Sequence, residues 1–549
     1  MGDEEIPDCW EDLDAQIPES VVEGAIKVAD FDFTSSHQNN DRPLNMQDAN
    51  LSQMDHNSLS FQHYSQQKTE KPKANSEEKK IPKPRKIEPE SVPAINKDGL
   101  ISSLIEANKS LEIKLAEPDS RDPVNLVFIG HVDAGKSTVC GNILLKTEKI
   151  NRRVVEQYEE EAKENNRESW WLAYIMDISE EERIKGITIE VGRAFFETDS
   201  RRFTILDAPG HKSYVPNMIS GAAQADVAAI VISARKGEFE SGFERGGQTT
   251  EHTILARAMG VKNFIVLVTK MDDPSVGWSQ ERFEFIRASF SQFLRYTCKI
   301  VDENIFWVPI SGLLGLNLNE KVPADVCPWY QGLCLFELLN VIPLPERNSN
   351  ESLRIPILDK IKDVGLSALG KVERGTVVKG LKTMIMPIES EAEIQELYGP
   401  EDAKFMYAKT GENLRLKLKV GEGVEIQPGY VLCDIHDVCN VATEFEADLI
   451  LFDLLPQKML VCPGYECVIH LNSILQDCQV TQVIARYDEN KHKKIKVDFC
   501  RGNSRVIVRL STPTPICVER YVDFPPLGRF TLRDEDTTIG IGKITNLFL

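Results

Sequence analysis

The 549-residue chain lacks several patterns that would assign a protein to a class at once. None of its twelve cysteines belongs to a C-x-x-C pair, and the closest neighbours, Cys433 with Cys439 and Cys462 with Cys467, do not have the spacing of zinc ligands. No apolar run reaches the length of a transmembrane helix, and the acidic segment Met1–Trp10 has no apolar core like that of a secretory signal. We therefore expect a cytoplasmic protein with free thiols and no membrane partner.

Basic residues are too few for a protein that binds long stretches of nucleic acid. The chain has 64 Lys and Arg against 85 Asp and Glu, and its net charge is −21. Residues 1–121 contain 24 acidic and 14 basic residues, and residues 122–549 contain 61 and 50. Because affinity for a nucleic-acid backbone comes mainly from neutralised phosphates, a protein partner or a small RNA contact is favoured.

Composition separates an N-terminal tail from a folded body. Residues 1–95 are first acidic, then rich in Gln, Asn and Ser, and then rich in Lys and Pro, without sustained hydrophobic periodicity. Such a segment cannot bury enough apolar surface to offset its conformational entropy, so we predict a disordered tail. Residues 96–121 have a weak helical pattern and are interpreted as a linker.

The pattern of the body changes once. From residue 122, short apolar runs such as VNLVFI, VAAIVIS and FIVLVTK alternate with helical segments, which is typical of a parallel sheet covered on both faces. After Pro345, apolar and polar residues alternate between Gly and Pro turns, as they do in antiparallel β-barrels. We predict an α/β domain over residues 122–346 and two β-barrel domains over 347–440 and 441–549.

The first apolar strand leads directly into a phosphate-loop sequence. The segment GHVDAGKS fits the pattern G-x-x-x-x-G-K-[ST], and its place between a strand and a helix argues against a chance match. In this loop, backbone N–H groups would surround phosphate oxygens, the lysine would reach the terminal phosphates and the serine hydroxyl would bind Mg²⁺. The predicted phosphate-binding residues are Gly130, His131, Val132, Asp133, Ala134, Gly135, Lys136, Ser137 and Thr138.

Later strand ends add the other parts of a nucleotide site. Asp207 ends the strand FTILD and precedes the glycine hinge Gly210, so it is a candidate for Mg²⁺ binding. The carboxylate of Asp272, which follows the strand FIVLV, can accept hydrogen bonds from N1–H and N2–H₂ of guanine, whereas adenine has no such donor pair. Each turn is common alone, and its meaning comes from the order of the three. The predicted base-binding residues are Thr269, Lys270, Asp272, Ser311, Gly312 and Leu313.

Several segments together carry a family resemblance. Translational GTPases related to elongation factor 1-alpha have sequences similar to GHVDAGKST, RIKGITIEVG, DAPGHKSYVPNMI, GEFESGFERGGQTTEH and GRFTLRDEDTTIGIGKI. Within that group, GITIEVGRAFFET, CPWYQGL and GRFTLRDE resemble the eukaryotic release-factor GTPases more than the elongation factor. The resemblance covers residues 122–549. It implies a P-loop GTPase domain followed by two β-barrels, with GTP and GDP as ligands and Mg²⁺ as cofactor.

The resemblance also implies the chemistry of the site. Thr188 would fold over the nucleotide and bind Mg²⁺ with Ser137 and Asp207. His211 would orient the attacking water, and Lys136 completes the set of expected catalytic residues. Phosphoryl transfer needs this positioning and charge stabilisation more than covalent chemistry.

The function implied by the resemblance is translation termination. The protein would deliver the stop-codon-reading class I release factor to the ribosome and hydrolyse GTP so that the peptide is released. Its third domain, including Gly528–Asp534, would bind that partner, and ribosomal RNA would lie near the GTPase site. The tail is a candidate for binding other partners, among them the poly(A)-binding protein.

Two positions depart from the family pattern. Thr269 replaces an Asn, and a single hydroxyl cannot bond to both the guanine ring and the phosphate loop as an amide can, so weaker guanine affinity is expected. Thr250 stands where related proteins usually have Arg.

Three other functions are considered. They are a ribosome-rescue GTPase with a release-factor-like partner, an elongation factor 1-alpha-like carrier of aminoacyl-tRNA, and a nucleotide-binding scaffold without catalysis. The acidic body and the long tail disfavour the carrier, and the presence of all the expected catalytic residues disfavours the scaffold.

Overall fold

A computed structural model describes residues 121–548 except for short interruptions at 166, 178, 244–246, 348, 364, 422 and 489–492. The predicted disordered tail, and the predicted linker except for its last residue, lie outside the described residues. The three domains described below belong to one compact unit of the chain.

The first domain contains a six-stranded sheet. Its strands are β1 (Asp122–Gly130), β2 (Gly192–Glu197), β3 (Arg201–Asp207), β4 (Val227–Ser233), β5 (Asn263–Thr269) and β6 (Ile305–Pro309). The strand order is β2-β3-β1-β4-β5-β6, and all neighbouring strands are parallel except β2 and β3. The carboxyl ends of the parallel strands therefore meet at one edge, which is where ligands bind in sheets of this kind.

Helices cover both faces of this sheet. They are α1 (Lys136–Lys146), α2 (Arg152–Glu164), α3 (Trp171–Tyr174), α4 (Glu180–Lys185), α5 (Val215–Gln224), α6 (Glu238–Phe243), α7 (Gln248–Ala258), α8 (Gln280–Tyr296) and α9 (Leu335–Val341). Successive residues of β1 face opposite cores: Val127 and Ile129 pack in one, whereas Leu126 and Phe128 pack in the other. A strand buried on both faces is mainly apolar, which explains the run VNLVFI, and its one polar residue, Asn125, is hydrogen-bonded to Asp226.

The second domain is a closed antiparallel barrel. Its strands are β7 (Arg354–Asp363), β8 (Gly365–Lys371), β9 (Thr376–Val378), β10 (Lys382–Met386), β11 (Ser390–Tyr398), β12 (Lys404–Phe405), β13 (Tyr407–Lys409), β14 (Asn413–Val420) and β15 (Val431–Cys433). The order is β10-β15-β7-β8-β14-β11-β12, and the pairing of β10 with β11 closes the ring. Closure removes the exposed edges that would otherwise pair with other chains.

The third domain closes in the same way. Its strands are β16 (Val441–Leu451), β17 (Leu460–Val461), β18 (Glu466–Leu471), β19 (Ile474–Asp488), β20 (Lys493–Ile495), β21 (Cys500–Arg501), β22 (Ser504–Cys517), β23 (Arg529–Asp534) and β24 (Thr537–Phe548), with helix α10 (Pro525–Gly528). The order is β18-β23-β24-β16-β22-β19-β20, and β18 also pairs with β19. The predicted fold class, an α/β GTPase domain followed by two antiparallel barrels, is confirmed.

The described segments also bear on the predicted boundaries and on the membrane. The last helix of the first domain ends at Val341, β7 begins at Arg354 and β16 begins at Val441. The boundaries at 346/347 and 440/441 stay predictions. Within the described part of the chain, no helix is both long and apolar enough to cross a membrane.

Buried polar contacts join the second domain to the first. Asp226 precedes β4, and its carboxylate accepts hydrogen bonds from the backbone and side-chain nitrogens of Asn125, both at 2.9 Å. It also forms ion pairs with Arg347 at 3.1 Å and with Lys371, at the end of β8, at 3.4 Å. A buried charge of this kind is costly unless it is paired, so these partners hold one another in place.

The third domain contacts helix α7 of the first domain. The Thr538 hydroxyl donates to the Glu251 carboxylate at 2.9 Å, and the Arg533 guanidinium lies 3.4 Å from the same carboxylate. Arg533 is buried and also donates to Thr538 at 2.7 Å. The first turns of α7 are therefore connected to β23 and β24.

Candidate nucleotide-binding site

The phosphate loop, residues 130–137, connects β1 to α1 at the carboxyl edge of the sheet. Gly130 has a φ of +147°, and a Cβ there would lie 2.4 Å from the Val231 carbonyl oxygen, so only glycine fits. Gly135 adopts a left-handed conformation and precedes the first residue of α1. The first N–H groups of that helix have no partner within it, so they point toward a bound anion.

Lys136 is the buried cation of this loop. Its ammonium group donates to the carbonyl oxygens of Gly130 at 3.2 Å and His131 at 2.9 Å. Burial lowers its pKa, while the nearby carboxylates of Asp207 and Asp133 oppose this shift. The lysine therefore lies inside the loop, where it can neutralise phosphate charge.

Gly210 passes close to that ammonium group. A Cβ at this position would lie 2.5 Å from the Lys136 nitrogen and 3.1 Å from the backbone nitrogen of Val132. Any larger residue would fill the space in which a terminal phosphate is expected. The glycine predicted as a hinge is thus also required by this close approach.

The structure brings together the three residues expected to bind Mg²⁺. The hydroxyls of Ser137 and Thr188 lie 3.2 Å apart. Asp207 is fully buried, and neither carboxylate oxygen has a hydrogen-bond partner among the described residues. Burial raises the pKa of Asp207 to about 6. Two hydroxyls beside an unpartnered carboxylate form an oxygen-rich set of the kind that Mg²⁺ takes.

Asp177 is a further acid in this cluster that the sequence analysis missed. Thr188 donates to its carboxylate at 3.3 Å. Burial raises the pKa of Asp177 to about 7, and the neighbouring Asp207 contributes to the shift. An excess of buried negative charge favours protons or a cation at this point.

Glu182 is a second missed residue, and it positions the segment that contains Thr188. Its carboxylate accepts from the backbone nitrogens of Ile189 at 2.8 Å and Glu190 at 3.1 Å. It also forms a capping box with Ser179 at the start of α4. The pattern S-x-x-E was visible in the sequence, but it signals only a helix start.

His211 follows Gly210 and is half-buried. Its Nδ1 atom accepts a hydrogen bond from the backbone nitrogen of Ser213 at 3.2 Å. In the neutral ring the proton must therefore lie on Nε2, which is the atom left to face a ligand. The ring also contacts Tyr214, at 5.8 Å between centroids.

At the base end, Thr269 bonds to the phosphate loop. Its hydroxyl lies 2.7 Å from the carbonyl oxygen of Ala134 and 3.2 Å from that of Ile232, so its single proton is directed at backbone acceptors. Lys270 has a φ of +57°, and its ammonium group pairs with Glu238 at 2.6 Å. Glu238, which was not among the residues predicted from sequence, thus holds the Lys270 side chain in place.

The other predicted base-binding residues lie on two adjacent loops. Asp272 is half-buried. Asn142 of α1 donates to the carbonyl oxygens of Gly312 at 2.9 Å and Leu313 at 3.1 Å. The Ser311 hydroxyl accepts from a backbone nitrogen of the same turn. These contacts hold the loop of Ser311, Gly312 and Leu313 beside helix α1.

The remaining loop residues differ in exposure. His131, Val132 and Thr138 are half-buried, Ala134 is buried and Asp133 is exposed with a φ of +59°. The predicted site residues lie in the phosphate loop and the first turn of α1, at or after the ends of β3, β5 and β6, and, for Thr188, in the segment that precedes β2.

Comparisons with known proteins agree with this geometry. Residues 121–364 match the family model of the elongation factor Tu GTP binding domain, and residues 444–545 match the GTP-eEF1A C-terminal domain-like model. Proteins named eukaryotic peptide chain release factor GTP-binding subunit are similar over 78% of this chain: the one from Kluyveromyces lactis is 44% identical and that from Zygosaccharomyces rouxii is 43% identical. The chain spans 61% and 64% of the lengths of these two relatives.

A solved structure supports the fold. The Saccharomyces cerevisiae Ski7 GTPase-like domain, bound to GTP, is 17% identical and has a TM-score of 0.65. The match covers 80% of this chain and 99% of that one.

Proposed function

We propose that the chain belongs to the family of eukaryotic peptide chain release factor GTP-binding subunits and that it is a GTPase of translation termination; its similarity to these proteins over 78% of its length supports the proposal. It binds GTP with Mg²⁺, delivers a class I release factor to the ribosome and hydrolyses GTP to GDP and phosphate to promote peptide release. The observation that carries the proposal is the cluster of Ser137, Thr188 and the unpartnered Asp207 beside the phosphate loop.

The residues of the site divide the work of phosphoryl transfer. Lys136 and the first N–H groups of α1 stabilise negative charge on the phosphates. When bound, Mg²⁺ neutralises charge on the phosphate oxygens, and Ser137, Thr188 and Asp207 are the residues that would hold it. Asp272 reads the guanine ring.

His211 is proposed to act as a hydrogen-bond donor. The backbone N–H of Ser213 occupies its Nδ1, so the neutral ring offers only the Nε2 proton. A donor at this position can orient a water and offset charge in the transition state, but it cannot accept a proton at Nδ1 without losing the Ser213 contact.

Partner binding is assigned to the third domain. The segment Gly528–Asp534 is buried except for Arg529, so its side chains build the barrel and leave little surface for a partner. The third domain instead exposes Met459 at 67%, Leu460 at 44% and Phe499 at 55%. Leu460 belongs to β17, Met459 directly precedes that strand, and Phe499 directly precedes its partner β21.

The segment that leads to this apolar surface is basic. Lys493 and Lys494 on β20, and Lys496 after it, are exposed. Because exposed apolar patches mark interaction sites, we assign the class I release factor to this surface. Ribosome binding through ribosomal RNA near the GTPase site, and tail partners such as the poly(A)-binding protein, follow from family membership alone.

Competition between ligands tests the function. The full-length chain, loaded with a non-hydrolysable GTP analogue or with GDP, is mixed with a class I release factor, a ribosome-rescue factor of similar shape or aminoacyl-tRNA. We expect retention of the release factor, and stronger retention with the GTP analogue. Preferential capture of the rescue factor or of aminoacyl-tRNA would replace this proposal with the corresponding function.

Variants of the apolar surface test the assigned contact. Met459→Asp and Phe499→Asp should each weaken release-factor binding at least about tenfold, because a charge at the centre of an apolar contact must be desolvated. The control is Val522→Asp, at a residue of the same domain that is 78% exposed. Equal binding by all three variants would remove the surface from the proposal.

A further inference from the structure

The side chain of Gln248 makes three contacts at the first position of α7. In the amide orientation that satisfies its neighbours, its nitrogen donates to Nδ1 of His131 and to the carbonyl oxygen of Gly210, both at 2.8 Å. Its oxygen accepts from the backbone nitrogen of Lys212 at 3.1 Å. Both donor protons and the acceptor of the amide are thus in use.

Two of these contacts lie on either side of His211. Gly210 precedes the histidine and Lys212 follows it, so one side chain fixes the peptide groups at both ends of this residue. Gly210 has no side chain of its own, and a Cβ there would collide with Lys136. Gln248 therefore holds the backbone on both sides of His211, in addition to the contacts that the ring makes with Ser213 and Tyr214 of its own segment.

The third contact ties the same support to the phosphate loop. Burial and the charge of Lys136 lower the pKa of His131, which favours the neutral ring, and in the tautomer with the proton on Nε2 the Nδ1 atom can accept from Gln248. Gln248 consequently connects a residue of the phosphate loop to both neighbours of His211.

We propose that Gln248 is a positioning residue for His211 in GTP hydrolysis. This inference rests on the proposed function, because it assumes that His211 acts on the attacking water. Gln248 holds the distance and direction of the His211 ring relative to the phosphate loop. Because hydrolysis depends on this geometry more steeply than nucleotide binding does, its loss slows the reaction and leaves GTP affinity nearly intact.

Two substitutions separate shape from hydrogen bonding. Gln248→Met keeps the length of the side chain and removes all three bonds, whereas Gln248→Glu keeps the acceptor for Lys212 and loses the donors for His131 and Gly210. Single-turnover GTP hydrolysis is measured with the full-length chain, ribosomes and a class I release factor. We expect rates about 10- to 100-fold lower for both variants, with dissociation constants for a fluorescent GTP analogue within about twofold of wild type.

The matched control is Gln331→Met, because Gln331 is exposed and has no bond to the site. Its rate should equal that of wild type. A wild-type rate in either Gln248 variant would overturn the inference, and so would a loss of rate that only parallels a loss of GTP affinity.

A double-mutant cycle distinguishes positioning from general support of the fold. If Gln248 acts through His211, Gln248→Met should cause no further loss in the His211→Ala background. Independent, multiplicative losses would show that Gln248 acts elsewhere and would overturn the inference. The single variant His211→Ala tests the underlying function separately: if its rate equals wild type, the catalytic assignment of His211 fails whatever Gln248 does.

Discussion

The Thr269 hydroxyl lies 2.7 Å from the carbonyl oxygen of Ala134 and keeps the base-reading loop bonded to the phosphate loop. An Asn would make this bond with one amide proton and keep a second for the guanine ring, whereas a threonine has only one proton to give. Threonine thus preserves the contact between loops and loses a donor to the base.

Thr269→Asn should therefore tighten GTP binding. One added neutral hydrogen bond contributes about 0.5–1.5 kcal/mol, so affinity should rise about two- to tenfold. Equilibrium binding of a fluorescent GTP analogue measures the change. Thr269→Val, which removes the bond to Ala134, should weaken binding, and a gain with Val or none with Asn would contradict this account.

Asp272→Asn should exchange guanine for xanthine. The new NH₂ group would face the guanine amino group donor to donor, and a buried mismatch of this kind costs about 1–3 kcal/mol, or about 5- to 100-fold in GTP affinity. Xanthine has a carbonyl oxygen at that position, so xanthosine triphosphate should bind better. Competition of GTP, ATP and xanthosine triphosphate tests this prediction.

The neighbouring acid supplies the control for that experiment. Asp273 is bonded to Arg235 and Ser275, so Asp273→Asn should not alter base preference. An unchanged preference in Asp272→Asn would remove Asp272 from the site.

Loss of Ser137, a proposed Mg²⁺ ligand, or of Lys136, a proposed phosphate contact, should weaken GTP binding. Chelation with EDTA should accelerate GTP dissociation from wild type, whereas Ser137→Ala and Lys136→Ala should bind GTP poorly even with excess Mg²⁺, because no neighbouring group in the loop replaces the lost contact. Stopped-flow dissociation of a fluorescent analogue measures both effects. Ser289→Ala, at a half-buried position of α8, is the control. Normal affinity in both loop variants would refute the phosphate-loop assignment.

His470 makes the third domain sensitive to acid. It is buried in β18, and burial together with the charge of Arg533 lowers its pKa to about 4. Because the folded-state pKa lies below the unfolded value of about 6.5, the neutral ring supports folding above pH 6.5, and this contribution is lost as the pH falls toward 4. The loss between pH 7 and pH 5 is on the order of 2 kcal/mol.

The substitution His470→Gln isolates that effect. Thermal unfolding of the full-length chain at pH 7 and pH 5 should show a smaller decrease in melting temperature for the variant than for wild type. Equal decreases would mean that His470 does not control the acid sensitivity.

Deletion of residues 1–95 should preserve folding and GTP-dependent binding of the release factor, because the predicted tail has too little apolar sequence to build the cores that follow. Circular dichroism and the binding assay described above test this. Loss of solubility or of partner binding would show that the tail belongs to the folded machinery.

The parts predicted from sequence are those with a local signal. Strand β1 was recognisable because both of its faces are buried, and the phosphate loop because its fixed glycines, lysine and serine are adjacent in the chain. The two barrels followed from alternating residues, although β17 and β21, with two residues each, are too short to show a period.

The parts that were missed depend on contacts between distant segments. In the sequence, Gln248 looks like an ordinary polar residue at the start of a helix. Its proposed role becomes visible only in the structure, where it contacts His131, 117 positions earlier in the chain. Asp177 resembled one acid among many until Thr188 was placed 3.3 Å away. The burial of Phe530 and its neighbours in β23 likewise depends on strand pairing, which no local pattern determines.

Helix α7 has a thermodynamic consequence for signalling between the domains. Its first residue, Gln248, contacts the backbone of Gly210 and Lys212. One turn later, Glu251 contacts Thr538 and Arg533 of the third domain. A partner that binds the third domain and favours one position of this helix changes the affinity of the chain for nucleotide. By reciprocity, the nucleotide would change the affinity for such a partner by the same factor, so that nucleotide binding and partner binding would be two readings of one coupling free energy.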